Sequence, residues 1–409
     1  MHSPDTYQTT LGNGIRVVLR HTASPVAYVG LMVGAGSRDE DKSVNGMAHY
    51  IEHCVFKGTE KLSARRIIGK IEDVGGEINA YTTKEDTTYY AAALTSHVAR
   101  ITSLLAEMVF RPTFPEKETR KEKGVILDEI EAYNDSPSEL IYDDFEALVF
   151  DSHPLSLPIL GTRRTLSHIS RECTLDFIRR HYTTDRIVFF CTGDLSRETV
   201  LHTAQRYLGD ISTTAFSGKR TAPSPMLPAD RYFRRHTHQV HIMLGGRAYP
   251  IGHNRQLALY LLNNIMGGGQ LSSMLNLALR ERKGLVYTIE SNYTPMSDTG
   301  YWSVYYATDK DNLQQCHQLV ADTLRCLRDK ALTDTALRRY KQQLMGQMAI
   351  AAENPENSAL AMAKQVLYTG SAPLWQETFK KIDTITAHDL QETANEIFAE
   401  NNISTLRYV

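Results

Sequence analysis

The sequence predicts an α+β fold: two homologous domains, each a largely antiparallel sheet with helices packed on one face. Three observations carry this. A segment near residue 50 recurs at an offset of 210 residues, both copies sit in the same order of strand-like and helix-like signals, and a proline-rich stretch separates the two halves.

Taken in order, the alternating apolar runs at residues 26–33 and 240–245 read as strands. Each is followed by the repeated segment. Ala48-His49-Tyr50-Ile51-Glu52-His53-Cys54-Val55-Phe56 lies against Ala258-Leu259-Tyr260-Leu261-Leu262-Asn263-Asn264-Ile265-Met266, and both continue into a glycine-containing loop. A further helix-like stretch, a glycine and β-prone aromatic runs come next, Thr88-Tyr89-Tyr90-Ala91 in the first half and Trp302-Ser303-Val304-Tyr305-Tyr306 in the second. The order is strand, helix, helix, strands, helix in each half. Residues 217–228, with three prolines among small polar residues, suit an exposed connector, so the domains are expected at 1–216 and 229–409. Gly267-Gly268-Gly269-Gln270 lacks the Lys-Ser/Thr or GxGxxG context of a phosphate cradle and reads as a loop.

A chain of 409 residues with 42% hydrophobic and 22% charged residues is an ordinary globular protein, too long for a single core. Its formal charge of −2 excludes a globally basic footprint, so no nucleic-acid partner is expected, and the basic residues at 325–330 read as a solvated helix face. Five widely spaced cysteines without a CxxC pair point to free thiols in a reducing compartment. The start of the chain has no basic region followed by an apolar run, and no segment approaches a membrane span, so a cytoplasmic protein with no membrane partner is expected.

The chemistry concentrates in His49-Tyr50-Ile51-Glu52-His53. On a helix, positions i and i+4 lie about 40° apart around the axis and one turn apart along it, so His49 and His53 can grip one ion. Glu52 falls on the same side, where it can hold a water. Neutral imidazoles suit Zn²⁺, but a catalytic zinc needs a third protein ligand and an open position. The acidic helix-like stretch at 118–133 offers Glu122, Asp128, Glu129 and Glu131. Glu122 and Glu129, seven apart, share a face beside Val125 and Ile126, and spacing alone does not choose between them. At the positions matching His49, Glu52 and His53 the second half carries Leu259, Leu262 and Asn263, so the fold is duplicated and the chemistry is not.

These residues resemble the pitrilysin-type (inverted-zincin, M16) metallopeptidases, which carry HxxEH and a distal glutamate about 76 positions after the second histidine. The likeness is to short two-domain bacterial members related to the mitochondrial processing peptidase. Glu129 stands 76 after His53, and the context also matches: residues 44–48, Phe56-Lys57-Gly58-Thr59, Gly75-Gly76-Glu77-Ile78-Asn79-Ala80-Tyr81-Thr82, and His153-Pro154-Leu155 through Ile159-Leu160-Gly161-Thr162. The resemblance implies His49, His53 and Glu129 as ligands of one Zn²⁺ per chain, Glu52 as the general base acting on the zinc-bound water, and Glu122 as a carboxylate orienting a ligand. It makes Arg280 and Tyr287, in Leu279-Arg280-Glu281-Arg282-Lys283-Gly284-Leu285-Val286-Tyr287, the holders of a substrate carbonyl and its oxyanion. Asn79 and Ala80 become substrate-binding positions on an edge strand to which an extended peptide adds.

The implied function is endopeptidase action on short or unfolded peptides inside a closed chamber. Family members resemble clamshells of four such units; two units make half of a clamshell, and a homodimer would complete it. A non-catalytic scaffold or partner subunit of the same fold is the competing expectation, and a metal-binding protein without peptidase activity is a third.

Overall fold

The computed structural model describes residues 6–235, 237–372 and 374–409. Alternation of side chains along the strands builds two sheets. The first comprises β1 (Thr6–Thr10), β2 (Arg16–His21), β3 (Val26–Val33), β4 (Glu77–Thr82), β5 (Thr87–Leu94) and β6 (Ile187–Gly193), in the order β1-β2-β6-β3-β5-β4. All neighbours are antiparallel except β2 with β6. Val17, Leu19, Val29, Leu31, Phe189 and Cys191 face one core. Against this face pack α1 (Met47–Cys54), α2 (Ala64–Glu72) and α3 (Val98–Phe110), and Ile126 of α4 (Glu116–Asn134) joins the same core.

The intervening residues Val18, Met32, Val188 and Phe190 point the other way and meet Ala359, Met362, Ala363 and Val366 of the helix Pro355–Thr369. β3 has no room for a side chain at Gly30, where a Cβ would sit 2.2 Å from the Phe190 ring.

The second sheet repeats the plan. It comprises β7 (Asp230–Phe233), β8 (Val240–Ala248), β9 (Val286–Pro295), β10 (Gly300–Thr308) and β11 (Ser404–Tyr408), in the order β7-β11-β8-β10-β9. Only β7 with β11 is parallel. Ile242, Leu244, Trp302, Val304 and Tyr306 face the core that contains Leu259 and Leu262 of the helix Gln256–Gly267. Met243, Tyr301, Tyr305, Leu406 and Tyr408 face away, onto Ile141, Phe145 and Val149 of α5 (Pro137–Phe150).

The two compact units therefore do not divide at one point in the chain. One holds the chain up to Glu131, Leu157–Arg220 and Ala351–Leu374; the other holds Ala132–Ser156, Thr221–Ile350 and Trp375–Val409. The step at Arg220 falls inside the stretch read as a connector at 217–228, but a single boundary there assigns two helices to the wrong unit. The reason is that a sheet with apolar residues on both faces needs helices on both, and each sheet takes its last helix from the other half of the sequence.

Most of the connector is exposed, but Arg220, Pro223 and Met226 are half-buried. Arg220 turns into the first unit, where its Nη2 lies 2.7 Å from Asp39 Oδ2 and donates to Gly34 O at 3.1 Å and Glu85 O at 2.7 Å. Arg186 Nη2 is 3.2 Å from the same Asp39 oxygen. Burial alone would raise the Asp39 pKa, but the hydrogen bond and charge of Arg220, the charge of Arg186 and the Gly36 N–H outweigh it and hold the carboxyl below its ordinary value. Asp39→Asn is expected to cost about 3–5 kcal/mol at neutral pH, the range for removing one partner of a buried pair. With the folded pKa below the unfolded one, that contribution is complete above about pH 4 and is lost as pH falls through the folded value. Denaturant titrations across pH should show the gap between wild type and variant closing in acid. A gap that stays constant contradicts the assignment.

Candidate metal centre

Helix α1 is built with two functional faces. Met47, Ala48, Tyr50, Ile51 and Cys54 are buried in the core, which fixes the helix rotation and turns His49, Glu52 and His53 to the other side. The imidazoles of His49 and His53 stand one turn apart with ring centroids 4.6 Å from each other. Helix α4 is set by Ile126, fully buried, with Leu127 and Ile130 against the same core, and Thr119 lies beside Tyr50 of α1. Val125, read in sequence as neighbouring this face, is half exposed.

This packing brings Glu129 to both histidines. Glu129 Oε2 lies 3.7 Å from His49 Nε2 and 3.6 Å from His53 Nε2, too long for hydrogen bonds. Metal–ligand distances of about 2.0–2.2 Å in a tetrahedron separate ligand atoms by roughly 3.3–3.6 Å, so the three atoms surround a space one ion wide. His49, His53 and Glu129 form the one such group among the described residues, with ligand atoms all within 4.8 Å of one another. Burial, followed by the charge of His53, lowers the His49 pKa to about 4, so this imidazole is neutral at pH 7 and free to donate its lone pair. Its Nδ1 is buried without a hydrogen-bond partner. Glu129 is 45% exposed, which leaves one side of the group open. Donor types, spacing and protonation all fit zinc.

The other acidic candidates separate clearly. Glu122 Oε2 sits 3.2 Å from His53 Nδ1, and its Oε1 is 2.7 Å from Lys57 Nζ. A carboxylate there keeps the proton on Nδ1 and the lone pair on Nε2, facing Glu129. Glu131 pairs instead with Arg163, and Asp128 is exposed. Glu52 is half buried beside Thr82 at the end of β4. Burial raises its pKa, the Thr82 hydrogen bond and the His53 charge oppose this, and the Glu129 charge adds to it.

Asn79 and Ala80 lie on β4, an edge strand paired to Tyr90 and Tyr89 of β5. Arg280 and Tyr287 belong to the second unit, the first in a short π-helix, Asn276–Glu281, and the second on the edge strand β9. The Arg280 guanidinium is 6.0 Å from the Tyr287 ring centroid, and Tyr287 is 81% exposed. In the helix Gln256–Gly267, Leu259 and Leu262 are core residues and Asn263 bonds to Ser291 of β9, so the repeated helix spends those positions on packing. Two residues around the site went without a role in the sequence: Lys57, which pairs with Glu122, and Thr82, which lies beside Glu52. Both stand in segments that carried the family resemblance, but only the fold shows what they contact.

Comparison with known proteins places all the candidate ligands within one of two matching profiles. The family profile described as "Insulinase (Peptidase family M16)" matches residues 16–163, which contain α1 and α4, and that described as "Peptidase M16 inactive domain" matches residues 168–344. The chain is 32% identical over 396 residues to the "uncharacterized zinc protease YmxG" of Bacillus subtilis, covering 96% of this chain and 95% of that one. A zinc protease so named from Mycobacterium leprae is 31% identical over 398 residues, covering 95% and 88%. The chain belongs to peptidase family M16. Its fold is shared with a protease from Helicobacter pylori (TM-score 0.90, 21% identity, all of both chains). A peptidase M16 inactive domain structure from Pseudomonas fluorescens is equally similar (TM-score 0.90, 20% identity, 99% and 97% coverage).

Glu122→Ala is expected to weaken zinc binding about 10–100-fold, the usual effect of removing a partner that orients a ligand. Competition with a chromophoric chelator measures this. Unchanged affinity would show that Glu122 does not support His53.

Proposed function

We infer that this chain is a zinc-dependent endopeptidase acting on short or unfolded peptides, with Glu52 as the group that moves the proton. The observation that carries the reading is the convergence of His49, His53 and Glu129 at ligand spacing beside a half-buried Glu52. The relatives named zinc proteases support the same metal and reaction class.

His49, His53 and Glu129 would hold the ion. Bound zinc lowers the pKa of a water towards neutrality and polarises a peptide carbonyl. Glu52 accepts the water's proton and passes it to the departing amine. Its raised pKa suits that double task, since a carboxyl closer to neutrality both takes and returns a proton. An extended peptide adds through backbone pairing to the edge of β4 at Asn79 and Ala80, and that edge runs to Thr82, the residue beside Glu52. Tyr287, with an exposed phenol, and Arg280 beside it serve the substrate carbonyl.

A chain of two units supports a homodimer that encloses the substrate, with size selection as its consequence. All five cysteines are free, which supports a reducing, cytoplasmic setting. The non-catalytic alternative draws on the match to the inactive domain. That match begins at residue 168, after both α1 and α4, and so concerns a stretch that contains none of the candidate ligands.

Glu52→Gln should retain one zinc per chain while losing about 10²–10⁴-fold in kcat/KM, because an amide cannot accept the proton. Zinc analysis, a mixed-peptide digest read by mass spectrometry and sedimentation of the same preparation test this together. Hydrolysis surviving the substitution overturns the role of Glu52, zinc without hydrolysis in the wild type favours the non-catalytic reading, and full activity in a monomer overturns the dimer.

A further inference from the structure

The metal helix begins without a local cap. α1 starts at Met47 after Gly46, which has a φ of 95° and whose Cβ, if present, would lie 2.7 Å from Leu160 O; no side chain at Gly46 caps the helix. The first free N–H groups of a helix need acceptors, and here one buried side chain from outside the helix supplies them. Glu40 is 7% exposed. Its Oε1 accepts from the Ala48 N–H at 2.7 Å, and its Oε2 accepts from the Gly46 N–H at 2.7 Å and from Asn45 Nδ2 at 2.8 Å. All three contacts are donors and favour the carboxylate, as do the peptide dipoles at this helix end, while burial pulls harder the other way and pushes the pKa up to about 8, so what Glu40 supplies to the helix is its two placed oxygens.

The turn that carries Glu40 is itself held rigidly. Ser37 N–H and Arg38 N–H donate to Thr83 O at 3.2 Å and Lys84 O at 2.8 Å, and the Arg38 guanidinium meets Glu85 Oε1 at 2.5 Å with both side chains buried. Asp39, next to Glu40, is clamped by Arg186 and Arg220. The residues that hold the Glu40 turn, Thr83, Lys84 and Glu85, form the turn between β4 and β5, directly after Thr82, which lies beside Glu52.

We propose that Glu40 is the positioning residue of the metal helix: by holding the N–H groups of Gly46 and Ala48 it fixes the first turn of α1, and with it the direction in which His49 leaves the helix. His49 directly follows Ala48 in that first turn. A tilt or fraying there moves one imidazole relative to His53 and Glu129 and opens the ligand spacing. The proposal rests on the reading of His49, His53 and Glu129 as a zinc site.

Glu40→Gln preserves volume but turns an amide NH₂ towards N–H donors. The expected result is zinc affinity lower by at least about tenfold, as for other residues that orient ligands, and an altered visible absorption of the Co²⁺-loaded protein, which reports the ligand arrangement without any activity. Leu208→Ala, in the core of the same unit away from α1, serves as the stability control. It is expected to lower the melting temperature while leaving zinc affinity and the Co²⁺ spectrum unchanged. Glu40→Asp, which keeps the carboxyl group but withdraws the oxygens by one methylene, is expected to fall between Glu40→Gln and the wild type. Either Glu40 variant binding zinc like the wild type, or losing affinity no more than the control does, overturns the proposal. Failure of both to fold also overturns it, by making Glu40 a folding residue. A wild type that binds no zinc overturns the metal reading first.

Discussion

Two imidazoles displayed one turn apart are useful to a metal only if the helix carrying them cannot rotate, and the opposite face of α1 supplies that constraint. Met47, Ala48, Tyr50, Ile51 and Cys54 lock into the core beneath the first sheet, so a rotation that spoils the metal geometry also exposes apolar surface. Helix α4 is held to the same core by Ile126, and the position of Glu129 follows from that anchor. The group of His49, His53 and Glu129 is a by-product of core packing. Burial then keeps His49 neutral, which is the protonation state a metal requires.

The duplicated helix shows the same framework without the chemistry. Gln256–Gly267 packs on its sheet as α1 does, but Leu259 and Leu262 extend its core and Asn263 ties it to β9. Those three positions serve packing there. The comparison explains how one fold can be copied while a single copy keeps the metal-binding residues.

Much of this was legible in the sequence, for identifiable reasons. The strand at 26–33 coincides with β3 because an alternating apolar run is a strong signal, and the edge strand that family likeness put around Asn79 and Ala80 coincides with β4. The i, i+4 histidines needed only helix geometry. The choice of Glu129 over Glu122 was different: both lie on one face of α4, and which reaches His49 depends on how two helices cross, so family likeness made that choice. The exchange of α5 and the helix Pro355–Thr369 was not legible, because an apolar stripe says that a helix is buried and not which sheet it covers. Glu40 was also missed, since caps are sought at the residue beside the helix and this one reaches back from a separate turn.

Two imidazoles of α1 and one carboxylate of α4 stand at the spacing of ligands to one zinc ion. X-ray absorption at the zinc edge of the purified wild-type protein tests it most directly. The account predicts one zinc per chain with two imidazole ligands at about 2.0–2.1 Å and otherwise only oxygen neighbours; zinc bound without imidazole scattering, zinc with sulfur neighbours, or no stoichiometric zinc would contradict it.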